Sequence, residues 1–286
     1  MDKHYSIILS ALLMAISSSF AQTKALYAGG ALYNDSSNIA EIKKSGFNTI
    51  IIWTLHLREN GDINFNFDFD LIEDGKYVGA RKHPNFVQDV ARLKQGLSSV
   101  DRIEFGIGSW EGQQFEVIKQ YYEKDGGFPD TSPIYKNFKK LRETFPMVDA
   151  INNDDELTYD LPSTVAFMKM LAKLGFKNTV VPYKNSSYWK ELVKEVNQTY
   201  PNNIDRNYLQ CYAGGSKNSP CDERWDLGIP LVGGLWGGTG QMSPSEINST
   251  IGDWKLKCNL GGGFIWLYDN MTGDVKQYSE ALDRMH

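Results

Sequence analysis

Residues 147–181 read MVDAINNDDELTYDLPSTVAFMKMLAKLGFKNTVV, and the fold is decided in this stretch. It divides into an extended run from Met147 to Asp154, a helix from Ser163 to Leu174 stopped at Gly175, and the β-branched run Thr179-Val180-Val181. Strand, helix and strand in that order form one unit of a parallel sheet, because parallel neighbours need a crossover rather than a tight turn. The same rhythm extends outward on both sides. Upstream lie a strand at Lys24–Gly30, a helix at Ser37–Ser45 ended by Gly46, the apolar strand Thr49-Ile50-Ile51-Ile52-Trp53, a helix near Asn85–Gln95, the strand Ile103–Gly108 and a helix near Tyr135–Thr144. Downstream follow a helix at Tyr188–Asn197 and strands at Tyr208–Tyr212, Pro230–Leu235 and Gly263–Tyr268, the last two separated by a helix at Pro244–Lys257. About eight strands interleaved with helices in one run predict a single α/β domain over residues 22–286, a (β/α)8 barrel. A doubly wound open sheet is the alternative. Between Gly61 and Gly79, Ile63, Phe65, Phe67, Phe69 and Leu71 alternate with Asn and Asp, which predicts a solvent-faced hairpin inserted after the second strand.

Composition narrows the function. The 286 residues carry 30 Lys plus Arg against 35 Asp plus Glu, a net charge of −5 with no basic block, which excludes nucleic acid as the main partner. Aromatic residues make up 13%, a surplus that suits stacking on sugar rings as well as a large core. Lys3 and His4, the apolar run Ile7–Ile16 and the small residues Ser17-Ser18-Ser19-Phe20-Ala21 read as a secretory signal cleaved before Gln22, so a secreted or periplasmic monomer is expected. No stretch reaches the roughly 20 apolar residues of a membrane helix. With four His and no His/Cys cluster, neither zinc nor another cofactor is expected. Cys211, Cys221 and Cys258 allow one disulfide whose pairing the spacing leaves open. Sequons stand at Asn34, Asn185, Asn197, Asn248 and Asn270.

The chemistry concentrates in Asn152-Asn153-Asp154-Asp155-Glu156. On an extended chain alternate residues share a face, so Asn152, Asp154 and Glu156 project together while Ile151 and Asn153 face the other way. In a barrel the carboxyl end of such a strand opens at the mouth, where catalytic groups sit. Three adjacent acids repel one another, and crowding raises the proton affinity of at least one, as a general acid near neutral pH requires.

Asp149-x-x-Asn152-x-Asp154-x-Glu156 resembles the D-x-x-D-x-D-x-E signature of glycoside hydrolase family 18, with Asn at the second acidic place. The Asp-Asp-Glu ending is similar to that of bacterial endo-β-N-acetylglucosaminidases of the family. Phe105-Gly106-Ile107-Gly108-Ser109-Trp110 resembles its glycine-rich third strand, Gln210-Cys211-Tyr212 the sixth-strand Gln-x-Tyr of class III plant chitinases, and Gly262-Gly263-Phe264-Ile265-Trp266 the eighth-strand motif ending in the tryptophan under the catalytic sugar. The resemblance implies retaining, substrate-assisted hydrolysis of β-1,4 bonds of N-acetylglucosamine, an exception to the scheme of two catalytic carboxylates. Glu156 would protonate the glycosidic oxygen. The acetamido oxygen of the sugar would attack the anomeric carbon, with Asp154 holding the acetamide N–H. Tyr212 is either a donor to the acetamide oxygen or a core tyrosine, and Trp266 either the floor beneath the N-acetyl methyl or a core aromatic. Gln210, Trp110, Tyr27 and Trp236 complete the expected binding residues. Asn152 can hydrogen-bond Asp154 but cannot exchange a proton with it, so reduced activity or a shifted pH optimum is expected. The implied substrate is the chitobiose core of an N-glycan; chitin is the alternative, and a non-catalytic glycan-binding relative the third reading.

Overall fold

The computed structural model describes residues 22–109, 112–271 and 275–283; the expected signal segment and Trp110 lie outside them. The strands are β1 (Thr23–Ala28), β2 (Thr49–Leu57), β3 (Ile63–Phe65), β4 (Phe69–Glu73), β5 (Lys76–Tyr77), β6 (Arg102–Gly108), β7 (Ala150–Asp154), β8 (Lys177–Val180), β9 (Ile204–Gln210), β10 (Leu231–Trp236) and β11 (Gly262–Trp266). Eight of them run parallel in the order β1-β2-β6-β7-β8-β9-β10-β11, and β1 pairs with both β2 and β11. The sheet therefore closes, and the fold is a single (β/α)8 barrel rather than an open sheet.

Helices α1 (Gly30–Asn34), α2 (Ser37–Lys44), α3 (Phe86–Arg92), α4 (Gln114–Asp125), α5 (Pro133–Thr144), α6 (Leu161–Lys173), α7 (Ser186–Thr199), α8 (Pro244–Lys257) and α9 (Val275–Ala281) follow the strands. Sequence reading misses α4. Its spacing of Phe115, Ile118 and Tyr121 is helical and all three are buried, but Gln113 supplies no capping hydrogen bond to mark the start. Two apolar layers result from strand alternation. Ala25, Tyr27, Ile51, Val181, Tyr208, Val232 and Phe264 fill the barrel, while Ile50, Ile52, Ile103, Phe105, Ile107 and Ile151 pack outward in the layer that includes Ile118 and Phe138 of the helices.

Two features differ from expectation. The 61–79 segment is not a solvent-faced hairpin but a three-stranded antiparallel extension hung on β2, and Ile63, Phe65, Leu71 and Ile72 are fully buried. Its alternation is real; the apolar face is covered by the same helical layer, and Asn137 of α5 ties the start of the extension to its β4–β5 turn by donating to Gly61 O (2.7 Å) and accepting from Gly75 N (2.7 Å). The second is an irregularity in β2. Ile52 pairs with Phe105, but Leu55 pairs with Ile107, so β2 uses one extra residue. That bulge reverses the alternation: Ile51 and Trp53 belong to the barrel interior, whereas Leu55 and Leu57 belong to the outer layer. Residue His56 is thereby turned toward the mouth. The cysteine question is settled as well: Cys221 and Cys258 are bonded, and Cys211 is free.

Candidate active site

Beneath the mouth the barrel holds a buried polar column. Glu104, fully buried on β6, accepts from Arg102 Nε (2.6 Å), Thr179 Oγ1 (2.7 Å) and Tyr208 OH (3.0 Å). Arg102 in turn grips Asp205 through two bonds of 2.8 Å, and Arg206 lies 3.7 Å from Glu104. Burial raises the proton affinity of Glu104, and the two guanidinium groups more than offset that, so it stays ionised. Sequence reading misses Glu104. Its signal was a lone acid at an inward position of an otherwise apolar strand.

Asn152 stands above this carboxylate. Its Oδ1 accepts from Tyr27 OH (2.9 Å), and its Nδ2 donates to Thr179 Oγ1 (2.8 Å) and, more weakly, to Glu104 Oε2 (3.4 Å). The amide is committed downward and sideways, not to Asp154 as expected. Tyr27, 1% exposed, therefore orients Asn152 rather than facing the mouth. Asp149, the first acid of the motif, points to the other end of the barrel, where it accepts from Lys94 Nζ (2.5 Å) and Ile103 N (2.8 Å).

At the top of β7 the two predicted acids do meet. Gln210 Nε2, at the end of β9, donates to Asp154 Oδ1 and to Glu156 Oε1, at 3.1 Å each. One amide nitrogen thus brackets both carboxylates, which lie within twice that distance of each other. Glu156 sits just past the strand, and Asp155 fixes the bend that carries it by accepting from the backbone N–H of Leu157, Thr158 and Tyr159 at 3.1, 2.9 and 2.7 Å. Gly108 of β6 pairs with Asp154 of β7, and a Cβ there would come within 2.2 Å of Asp154 O. At φ +100°, only glycine lets the two strands meet beside the acid.

Burial, then the neighbouring charges of Glu156 and Asp155, hold the Asp154 carboxyl well above the usual range, against the pull of the Gln210 donor. Glu156 is raised as well, chiefly by burial; Gln210 and the Lys184 charge oppose that. The pair is thus arranged to share a proton, and Asn152 cannot take part in the exchange.

An aromatic floor adjoins the acids. Trp266, half-buried at the end of β11, stacks on Tyr212 (6.3 Å, 17°), meets Trp53 edge-on (5.0 Å) and lies 5.3 Å from Tyr27. Tyr212, just past β9, reaches Trp236 at 6.2 Å. The indole N–H groups of Trp53 and Trp236 are buried and unpaired. Trp53 lies outside the expected set, although it ends the apolar run Ile50–Trp53 of β2 and faces the barrel interior. Asp154, Glu156, Gln210, Tyr212, Trp236 and Trp266 are therefore one constellation, with Asn152 and Tyr27 in the layer beneath. Among the described residues no group of three or more His, Cys, Asp or Glu side chains could hold a metal ion, and no helix is long and apolar enough to cross a membrane.

No protein-family model matches the chain, and no curated protein does. Solved structures do. The chain is similar to a glycoside hydrolase family 18 chitinase from Flavobacterium johnsoniae (TM-score 0.59, 13% identity, covering 91% of this chain and 93% of the other). It is similar to a chitinase from Bacteroides thetaiotaomicron (TM-score 0.59, 13% identity, 91% and 96%) and to the spore cortex-lytic enzyme of Bacillus cereus (TM-score 0.57, 10% identity, 92% and 75%). At these identities the likeness shows a shared (β/α)8 barrel fold and nothing finer. What the chain does has to be argued from its own site.

Proposed function

We propose that this chain is a retaining glycoside hydrolase that cleaves β-1,4 linkages of N-acetylglucosamine with the help of the substrate's own acetamido group. One observation carries the reading: a single Gln210 nitrogen holds Asp154 and Glu156 together at the carboxyl end of the barrel, both with raised proton affinity. Glu156, the more exposed of the two, protonates the leaving oxygen. Asp154, too buried to attack an anomeric carbon, accepts the acetamide N–H and stabilises positive charge on the ring formed when the acetamido oxygen attacks. Glu156 then takes a proton from the incoming water. Tyr212, between Trp236 and Trp266, donates its hydroxyl to the acetamide oxygen, and Trp266 supports the N-acetyl methyl. Partly buried and beside the Asp154 and Glu156 carboxylates, the Tyr212 phenol has its pKa raised and stays protonated and able to donate.

The substrate favoured is the chitobiose core of N-glycans, on the resemblance of the Asp-Asp-Glu ending; chitin oligomers are the second reading, supported by the chitinases among the structural neighbours. Export before Gln22 belongs to the same proposal, since such glycans lie outside the cell. The test is product release from a high-mannose glycoprotein and from N-acetylchitooligosaccharides, beside their deacetylated counterparts. Cleavage of acetylated substrates alone, falling about 10²–10⁴-fold in Glu156→Gln, is expected. If the parent binds glycan, releases nothing and Glu156→Gln behaves identically, the barrel is a glycan-binding protein and the hydrolase reading fails.

A further inference from the structure

We propose that Phe67, backed by His56 and flanked by Gln114, forms a separate sugar-binding position on the rim of the barrel, taking an uncharged pyranose ring one or two units along the chain from the bond at Glu156. It rests on the glycan reading of the acidic pair and extends it to substrate length.

Phe67 occupies the turn between β3 and β4 and is 69% exposed, among the few large apolar side chains left in solvent. Both Asn66 and Phe67 adopt left-handed backbone (φ 54° and 55°), which costs about 1–2 kcal/mol per residue for a side chain other than glycine. Even so, the turn is firmly held. Asn66 N donates to Thr54 O (2.9 Å), Asn66 Nδ2 to Tyr33 OH (3.3 Å) and Asp68 N to Phe65 O (2.9 Å), while the Asp68 carboxylate pairs with Lys82 and with His83 Nε2 (3.0 Å). The fold thus maintains, against backbone preference, a rigid aromatic ring in water. Rigid exposed aromatics bind with little further loss of conformational freedom.

What lies behind the ring indicates the ligand. Phe67 stacks on the imidazole of His56, with centroids 3.4 Å apart and planes at 24°. His56 faces the mouth because of the β2 bulge, and its Nδ1 contacts Gln114 Nε2. Burial pushes its proton affinity down to about 4, so the imidazole is neutral when the acids at the mouth work. Its Nε2 and the Gln114 Oε1 are both buried and unpaired, one donor and one acceptor. An exposed aromatic face backed by a neutral imidazole matches the apolar face of a sugar ring and offers nothing to a phosphate or a carboxylate. Register places it at the same end of the barrel as the acids. Leu55 pairs with Ile107 and Ile107 with Asn153, so His56 and Asp154 stand at one level of the barrel, two strands apart. At the usual strand spacing that is about 10 Å, a gap that one or two sugar rings span.

Calorimetry on Glu156→Gln, which binds without turnover, tests this with N-acetylchitobiose and N-acetylchitopentaose. The pentasaccharide should bind more tightly, and adding Phe67→Ala should lower the ratio of the two affinities about fivefold to tenfold, the worth of one aromatic contact; Phe67→Trp should restore it. An unchanged ratio in Phe67→Ala, equal affinity for both oligomers in the parent, or binding of neither overturns the proposal. The hydrolase reading fails separately: a parent that cleaves nothing, with the ratio falling as expected, removes catalysis and leaves the rim position standing.

Discussion

At the scale of single residues, the site places opposite demands on Asp154. Its carboxylate is needed at the mouth, yet burial and two neighbouring acids make ionisation there unfavourable. An acid whose folded pKa lies above its unfolded value takes up a proton on folding. Its contribution to stability is fully present below the ordinary Asp range near 3.9 and is lost as pH rises through the raised folded value. Asp154→Asn removes that loss while keeping size and shape. The variant should melt above the parent at pH 7, by a margin that shrinks toward pH 4, and should lose most hydrolysis. A scanning-calorimetry series across that range checks both signs, and a variant that melts below the parent at pH 7 contradicts the account. The two acids could be picked from the sequence because they stand two apart at the end of an alternating strand; the bend held by Asp155 and the Gln210 amide complete their approach. The main cause of their raised proton affinity could not, because it is burial rather than the crowding visible in Asp-Asp-Glu.

At the scale of elements, the three-stranded extension after β2 is where local pattern and tertiary context diverge. Its period of two was legible, but which face is wet depends on the neighbour, and α5 supplies a cover that the pattern does not announce. Asn137 is the joint, fully buried and bonded to both Gly61 and Gly75. Asn137→Ala leaves two backbone groups without partners and should cost about 1–3 kcal/mol. Because those bonds hold the start and the β4–β5 turn of the extension rather than the barrel, hydrogen exchange should quicken first across β3 to β5. Uniform loss of protection over all the strands would show that the extension is not a separate unit. The β2 bulge teaches the same lesson in smaller form. Ile50 to Trp53 is an unbroken apolar run, so nothing in it tells that the strand bulges after Ile52 and that His56, not Leu55, then faces the mouth.

At the scale of the whole molecule, closure leaves the eight parallel strands without an edge, β5 of the extension being the exposed one, and the disulfide links the loop before β10 to the end of α8. Cys221–Cys258 closes a loop of 37 residues, and removing it relaxes the unfolded chain by roughly 3–4 kcal/mol in the loop-entropy account. Cys221→Ser with Cys258→Ser should lower the melting temperature by about 2–4 °C for each of those kcal/mol and leave glycan cleavage intact, since neither cysteine approaches the acids. A melting temperature unchanged in the double variant would show that the bond does not constrain the chain.

The alternation of strands with crossover helices, the acidic strand and the inward face shared by Asn152 and Asp154 were set by the sequence alone, because periodicity and crossover length are local properties of the chain. Tertiary structure decided the rest: that Gln210 from a strand two places away joins the acids, that Asn152 answers to Tyr27 and Glu104 instead of Asp154, and that a strained Phe67 stands over His56. Each of these depends on strands distant in sequence meeting at a particular register, and register across a closed barrel is fixed by the packing of the whole ring, not by any segment of it.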